Sequence, residues 1–134
     1  MSAFPLKIVT PYGVAYDGMA EMLTVRSTSG DIGILAGHIN CVAPLGMGQA
    51  TLVIDGQKRY AACIGGMVSV VNGSVTLVPT TFEWADKIDV ERAEASQQRA
   101  QAILSNKTST DTDIRLAEAR LKRALVRKGV ANQK

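Results

Sequence analysis

MVSVVNGSVTLV, residues 67–78, alternates apolar and polar side chains on both sides of an Asn-Gly pair. Val68, Val70, Val75 and Leu77 share one side of this alternation. A period of two is typical of a half-buried strand, and Asn-Gly tolerates the left-handed backbone of a type I′ turn. The stretch therefore predicts a β-hairpin.

Turn signals of the same kind punctuate the whole first half of the chain. Eleven of the twelve glycines lie at or before Gly73, and all four prolines lie at or before Pro79. Short apolar runs between such turns are typical of an all-β region. Two stacked sheets are favoured over one open sheet, which would leave its edges exposed. We predict an antiparallel β-sandwich over residues 1–84.

The second half, residues 85–134, has helical periodicity instead. Apolar side chains recur at three- and four-residue steps in two stretches, which the polar run SNKTST at 105–110 separates. A connection this short places consecutive helices antiparallel. The predicted fold class is therefore α+β, with an N-terminal antiparallel β-sandwich followed by a C-terminal antiparallel two-helix hairpin.

Capping residues predict where these helices begin and end. Asp89 is placed to cap the first helix, and either Asp111 or Asp113 to cap the second. Gly129 is expected to stop the second helix. Alanine fills many of the apolar positions and buries little area, at roughly 25 cal/mol per Å². We expect the hairpin to dock weakly and to exchange between folded-back and extended arrangements.

Size and composition exclude several classes of protein. With 134 residues the chain is too short for a large multi-domain enzyme, and no apolar run approaches the roughly 18 residues of a membrane span. We expect a soluble intracellular protein with no direct membrane insertion. Cys41 and Cys63 are interpreted as buried small apolar side chains. A zinc site that includes His38 is disfavoured, because no fourth ligand has motif spacing.

A family resemblance rests on the segment GDIGILAGH, residues 30–38, followed by VAPL at 42–45. Together with Gly65-Gly66, the Asn-Gly hairpin and IDVERA at 88–93, this segment resembles the epsilon subunit of F-type ATP synthases. The resemblance implies the same sandwich and helical hairpin. Family members commonly have prolines where Ala36 and Asn40 stand here, and this replacement is expected to loosen the loop.

The resemblance also implies a place and partners for the protein. It would belong to the central stalk of a bacterial enzyme, peripheral on the cytoplasmic face of the cell membrane. The sandwich would bind the gamma subunit and the rotor ring of c subunits, with Asp31 and His38 at the partner interface. The extended hairpin would reach the alpha/beta catalytic head. Such a subunit couples and regulates and has no catalytic residues.

A nucleotide site is implied by the start of the first helix. Ile88, Asp89, Arg92 and Ala93 match the motif I/L-D-x-x-R-A, by which certain bacterial epsilon subunits bind ATP. Glu83 and Arg99 resemble further family positions that contact the nucleotide. ATP would be a regulatory ligand that is not hydrolysed. Magnesium could accompany it, although no sequence motif requires the metal.

Hairpin geometry supports this site independently. With the loop centred near residues 108 and 109, Arg92 lies opposite residue 125, which Arg123 and Arg127 flank on one helical face. Three converging guanidinium groups repel one another and match phosphate geometry. Two simpler interpretations stay open. Asp89 could serve only as a helix cap, and Arg99 could form a salt bridge with Glu118.

The chain is strongly basic from Ile114 onward, where seven Lys and Arg residues face one acid, Glu118. A solvated helix face, nucleic-acid binding and docking on an acidic protein surface are the three interpretations. The resemblance favours docking on the catalytic head. Every aromatic side chain lies at or before Trp84, so we expect no nucleic acid partner. The alternative function is a stand-alone nucleotide-sensing interaction module.

Overall fold

The structure is a computed structural model that describes residues 2–133. Ten strands are followed by a short 3₁₀ turn, Ala85–Lys87, and two helices. The strands are β1 (Phe4–Thr10), β2 (Gly13–Ala20), β3 (Met22–Ser27), β4 (Gly30–Ile34), β5 (Cys41–Pro44), β6 (Met47–Ile54), β7 (Gln57–Ile64), β8 (Met67–Val71), β9 (Ser74–Val78) and β10 (Thr81–Trp84). The helices are α1 (Val90–Ser105) and α2 (Asp111–Ala131).

The strands form two five-stranded sheets, so the predicted sandwich is confirmed. The strand order is β2-β1-β9-β8-β5 in the first sheet and β10-β7-β6-β3-β4 in the second. One strand pair departs from the antiparallel prediction, because β1 runs parallel to β9, with Leu6 paired to Val75. Parallel strands need a long crossover connection. Here seven intervening strands, including most of the second sheet, supply it.

The Asn-Gly turn has the predicted geometry. Asn72 and Gly73 have φ values of 50° and 83°, and they connect β8 to β9 in register. Positive φ at both central residues is the requirement of a type I′ turn. Gly66 marks a close backbone approach, because a Cβ at this position would clash with the Val78 carbonyl oxygen.

The core lies between the two sheets and consists of large apolar side chains that alternate along each strand. Its largest members are less than 2% exposed, and they include Leu6, Ile8, Leu23, Val25, Ile34, Leu52, Val68, Val70 and Leu77. Cys63 is buried among them, and burial raises the pKa of its thiol to about 12. Cys41 is only half-buried, contrary to expectation, because β5 is an edge strand.

The helix boundaries confirm one predicted cap and correct two others. The Asp89 carboxylate accepts a hydrogen bond from the Arg92 backbone N–H at 3.0 Å. Helix α2 begins at Asp111 with Thr110 as its N-cap, and Asp113 completes a capping box. Gly129 does not stop α2, which continues to Ala131. The final residues of this helix are buried against the sandwich, and that packing favours continued helix over a glycine stop.

Alanines dominate the contact between the two helices. The fully buried side chains there are Ala93 and Ala100 on α1 and Ala117 and Ala124 on α2. A second small cluster joins the hairpin to the sandwich, and its buried members are Ala62, Ala85, Ile88, Val130 and Ala131. Within residues 2–133, neither helix has a stretch long and apolar enough to cross a membrane.

Candidate functional site

A cavity of about 960 Å³ lies where the sandwich meets the hairpin. Three parts of the chain form its walls. The sandwich contributes Thr10, Pro11, Tyr12, Thr80, Thr81, Phe82 and Glu83; the connection to α1 contributes Lys87 and Asp89; the helices contribute Arg92, Ala93, Ser96, Arg99, Arg120, Arg123 and Arg127. The cavity therefore depends on the hairpin being folded back against the sandwich.

The charges around the cavity are strongly unbalanced. Five arginines and Lys87 line it, against the two carboxylates Glu83 and Asp89. The arginines come from both helices, since three successive turns of α2 place Arg120, Arg123 and Arg127 on the same side. An excess of cations in one concave site attracts anionic ligands and raises their local concentration. The chemistry of the walls therefore suits a polyanion.

One arginine is already paired with the sandwich. The Arg127 Nε lies 2.5 Å from Glu83 Oε1, and the two side chains are 23% and 31% exposed. This ion pair joins α2 to β10 across the cavity. It is partly shielded from water, so it contributes more than a fully exposed pair does.

The other four arginines, Arg92, Arg99, Arg120 and Arg123, form no ion pair with any residue between 2 and 133. Guanidinium groups stay charged at all physiological pH values. Their mutual repulsion is an unfavourable term that an anion placed among them would remove. Phosphate oxygens match guanidinium geometry and can accept two parallel hydrogen bonds from each group.

Seven of the eight residues predicted for the nucleotide site line this cavity: Glu83, Asp89, Arg92, Ala93, Arg99, Arg123 and Arg127. Ile88 does not. Its side chain is 7% exposed and belongs to the small cluster that contains Val130. It is the apolar residue between the 3₁₀ turn and α1, and it packs where α2 meets the sandwich. No ion pair joins Arg99 to Glu118 in the described part of the chain.

Sequence reasoning missed two prominent wall residues. Arg120 precedes Arg123 by three positions and Arg127 by seven, and this helical spacing could have identified it. Tyr12 gives no comparable signal, because the turn between β1 and β2 reaches the cavity only through the three-dimensional fold. Its ring is 95% exposed.

The residues predicted for a partner interface lie outside this cavity. Asp31 is in β4, where its carboxylate accepts a hydrogen bond from Arg26 Nε at 3.0 Å. His38 is in the connection from β4 to β5, and its Nδ1 lies 2.7 Å from the Ile39 carbonyl oxygen. Three large apolar side chains nearby in sequence are exposed, namely Leu35 (54%), Ile39 (78%) and Val42 (62%).

No three His, Cys, Asp or Glu side chains within residues 2–133 are grouped closely enough to hold a metal ion. The cavity has two carboxylates, and both already have partners, Arg127 for Glu83 and the start of α1 for Asp89. Its walls are therefore chemically suited to holding phosphate groups by their charge.

Comparison with known proteins gives consistent matches along the chain. The beta-sandwich domain of the ATP synthase delta/epsilon chain matches residues 3–85, and the long alpha-helix domain of that chain matches residues 86–132. The ATP synthase epsilon chain of Bacillus velezensis is 49% identical over 131 residues, which cover 98% of both chains. That of Bacillus subtilis is 50% identical over 115 residues, 86% of each chain.

A solved structure gives an independent match to the fold. A chain in the mitochondrial ATP synthase of Euglena gracilis, solved as an OSCP/F1/c-ring assembly, superposes with a TM-score of 0.83 at 20% identity. The match covers all of this chain and 83% of the Euglena chain. At this identity the likeness concerns the fold alone. The two matching domains and the Bacillus relatives show more, and on their basis this chain belongs to the ATP synthase epsilon-chain family.

Proposed function

We propose that the protein is the regulatory epsilon subunit of a bacterial F-type ATP synthase, and that its hairpin binds ATP without hydrolysing it. In this proposal the folded-back hairpin leaves the enzyme free to turn, and the extended hairpin inhibits ATP hydrolysis. The observation that carries the proposal is the arginine-lined cavity, which the sandwich and both helices build together.

Ligand binding would depend on the position of the hairpin, because the sandwich and the helices each form one wall of the cavity. When the hairpin leaves the sandwich, Glu83 separates from Arg127 and the wall is divided. A ligand that needs both walls binds only the folded-back state. It stabilises that state by RT ln(1 + [ATP]/Kd), roughly 2.7 kcal/mol at a hundredfold excess over Kd. Scarce ATP would then release the helices.

The absence of hydrolysis follows from the chemistry of the walls. Phosphoryl transfer to water needs a group that orients or deprotonates the water, and usually a bound magnesium ion. One oxygen of each carboxylate at the cavity is already engaged, by Arg127 and by the start of α1. In this proposal ATP acts as a regulatory ligand; magnesium could accompany it, although no sequence motif requires the metal.

The sandwich would bind the stalk through a different surface. Leu35, Ile39 and Val42 are exposed apolar side chains that lie near His38 and Asp31 in the sequence. Exposed apolar groups next to polar ones are typical of protein interfaces. We assign this surface to the gamma subunit and the rotor ring of c subunits, which places the protein at the cytoplasmic face of the cell membrane.

The released hairpin would bind its partner through its positive charge. From Ile114 onward the chain carries seven basic residues and one acid. Such a helix is attracted to an acidic protein surface, and this attraction speeds encounter more than it adds affinity. The partner for this state is the alpha/beta catalytic head.

Calorimetric titration of the full chain with ATP and ADP tests the nucleotide site. We expect saturable ATP binding, which Arg92→Ala and Arg123→Ala each abolish. Arg115→Ala is the matched control, because Arg115 is an exposed arginine of α2 that does not line the cavity. Unaltered binding in both cavity variants, or no binding at millimolar ATP, would contradict the proposal.

Inhibition is tested separately with the reconstituted enzyme. We expect the full chain to lower ATP hydrolysis at low ATP concentration, and a chain shortened to residues 1–87 to lose this effect while still joining the stalk. Steady ATP hydrolysis by the isolated chain would contradict the assignment of ATP as a regulatory ligand.

A further inference from the structure

Tyr12 is the one aromatic side chain of the protein that is almost fully exposed, at 95%. The other five pack within the sandwich or against the base of the hairpin: Phe4, Tyr16, Tyr60, Phe82 and Trp84. Tyr16 and Phe82 contact the Trp84 ring edge to face, with ring centroids 6.5 and 5.0 Å away. Tyr12 has no such packing role among the described residues.

The backbone that carries this ring is nevertheless held in place. The Thr10 hydroxyl accepts a hydrogen bond from the Tyr12 backbone N–H at 3.1 Å and donates one to the Gly13 carbonyl at 3.1 Å. Gly13 has a φ of 126°, which a residue with a Cβ rarely adopts. The turn between β1 and β2 therefore fixes the backbone position of Tyr12 at the edge of the cavity, while its side chain lies in solvent.

The cavity has two chemically different walls. All five of its arginines belong to the helices, whereas the sandwich contributes no cation. The sandwich wall contributes instead two aromatic residues, Tyr12 and Phe82, and three threonines, Thr10, Thr80 and Thr81. A ligand that satisfies both walls needs an anionic end and a flat apolar end. A nucleotide has both, and inorganic polyphosphate has only the first.

We propose that Tyr12 stacks on the base of the bound nucleotide and is a specificity-determining residue of the site. This inference rests on the proposed function and adds to it how the protein distinguishes a nucleotide from other polyanions. The arginines supply affinity for phosphate, which any polyphosphate would share. The ring supplies the additional affinity that only a ligand with a base can obtain. Nucleotide binding would also cover an apolar surface that is otherwise in water.

Calorimetry with two ligands tests this assignment. The full chain is titrated with ATP and with inorganic tripolyphosphate, which has the phosphates but no base. We expect Tyr12→Ala to weaken ATP binding about 5- to 100-fold, the range for one aromatic ring stacked on a base. The affinity for tripolyphosphate should change less than twofold. Arg92→Ala should weaken both ligands.

Conservative variants separate stacking from other effects. Tyr12→Phe and Tyr12→Trp keep a flat ring and should retain ATP affinity. Leu35→Ala removes an exposed apolar side chain outside the cavity and should leave both affinities unchanged. Because the Tyr12 side chain is 95% exposed, the melting temperature without ligand should be the same in all three Tyr12 variants.

The outcomes distinguish this inference from the proposed function. If ATP binding depends on Arg92 but is the same in Tyr12→Ala, the stacking assignment is wrong and the nucleotide site stands. If Tyr12→Ala weakens both ligands equally, the ring acts through cavity shape and the specificity role is wrong. If the wild-type chain binds no ATP, both proposals fail.

Discussion

The sandwich and the hairpin are held together by side chains of very different size. Between the sheets, leucine, isoleucine and valine are buried to less than 2% exposure, whereas the buried contacts between the helices are made by alanine. Apolar burial stabilises in proportion to area, at roughly 25 cal/mol per Å². The comparison shows one region stabilised by large buried side chains and another held together by small ones, which is the difference that the proposed release of the hairpin requires.

Few contacts join these two regions. The apolar part is the small cluster around Val130 and Ala131, and the polar part is the ion pair between Arg127 and Glu83. The arginine cavity lies at this junction and adds repulsion when it holds no anion. In the proposed function, a ligand at this junction therefore changes the balance between docked and released states more than a ligand elsewhere would.

The largest expected effect comes from the sandwich core. Leu77 is 0% exposed, so Leu77→Ala removes buried methyl groups and leaves a cavity. Such changes lower the free energy of unfolding by about 2–5 kcal/mol. Urea denaturation followed by Trp84 fluorescence measures it. A loss below about 1 kcal/mol would contradict the idea that the sandwich owes its stability to tightly packed large side chains.

A smaller and more local effect is expected between the helices. Ala124 is 0% exposed, and Ala124→Leu forces α1 and α2 apart at a cost of about 1–3 kcal/mol. Hydrogen exchange should speed up in both helices and stay constant in the sandwich. Ala95→Leu is the matched control, because Ala95 is exposed on α1. Equal acceleration in sandwich and hairpin would show that the two regions unfold as one.

The next effect concerns the start of α1. Asp89→Ala removes the side chain that caps the helix and should destabilise the hairpin by about 1 kcal/mol. Asp89→Asn keeps a good cap but loses the charge, so it separates the two roles of this residue. Helical circular dichroism on heating measures the first role. If Asp89→Asn is as damaging as Asp89→Ala without ligand, capping is not the reason for its stabilising effect.

The smallest expected effect concerns the buried thiol of the sandwich. Burial holds the pKa of Cys63 at about 12, so at neutral pH it is an unreactive thiol until the sandwich opens. In a Cys41→Ser background, labelling of Cys63 by a thiol reagent reports on that opening. ATP should slow this labelling by no more than it slows exchange in the helices, because opening of the sandwich also removes one wall of the site. A slowing greater than that of the helices would contradict binding at the junction of the two regions.

Local signals explain why much of the fold could be predicted from the sequence. The Asn72-Gly73 turn and the Asp89 cap each depend on a few adjacent residues, and both are confirmed. The prediction that Gly129 ends α2 is wrong, because the burial of Val130 and Ala131 outweighs the local tendency of glycine to end a helix. The parallel pairing of β1 with β9 joins residues nearly seventy positions apart, and no local pattern encodes it.

The candidate site likewise contains residues that local patterns predict and residues that they do not. Helical spacing brings Arg92, Arg123 and Arg127 together as predicted, since hairpin geometry follows from loop position. Ile88 was predicted from its motif, yet its side chain is buried elsewhere. Tyr12 reaches the cavity through strand order and sheet packing, which depend on the whole sandwich. When a residue reaches a site only through long-range packing, a single sequence contains no periodic pattern that identifies it.

Hydrogen exchange of the full chain with and without ATP tests the central claim most directly, that a ligand in the arginine cavity holds the hairpin on the sandwich. At a hundredfold excess over Kd, amides in α1 and α2 that exchange by hairpin release should slow by roughly two orders of magnitude. Core amides of the sandwich should slow by no more than this factor, because unfolding of the sandwich also removes one wall of the site. Unchanged exchange in the helices under saturating ATP would contradict the account.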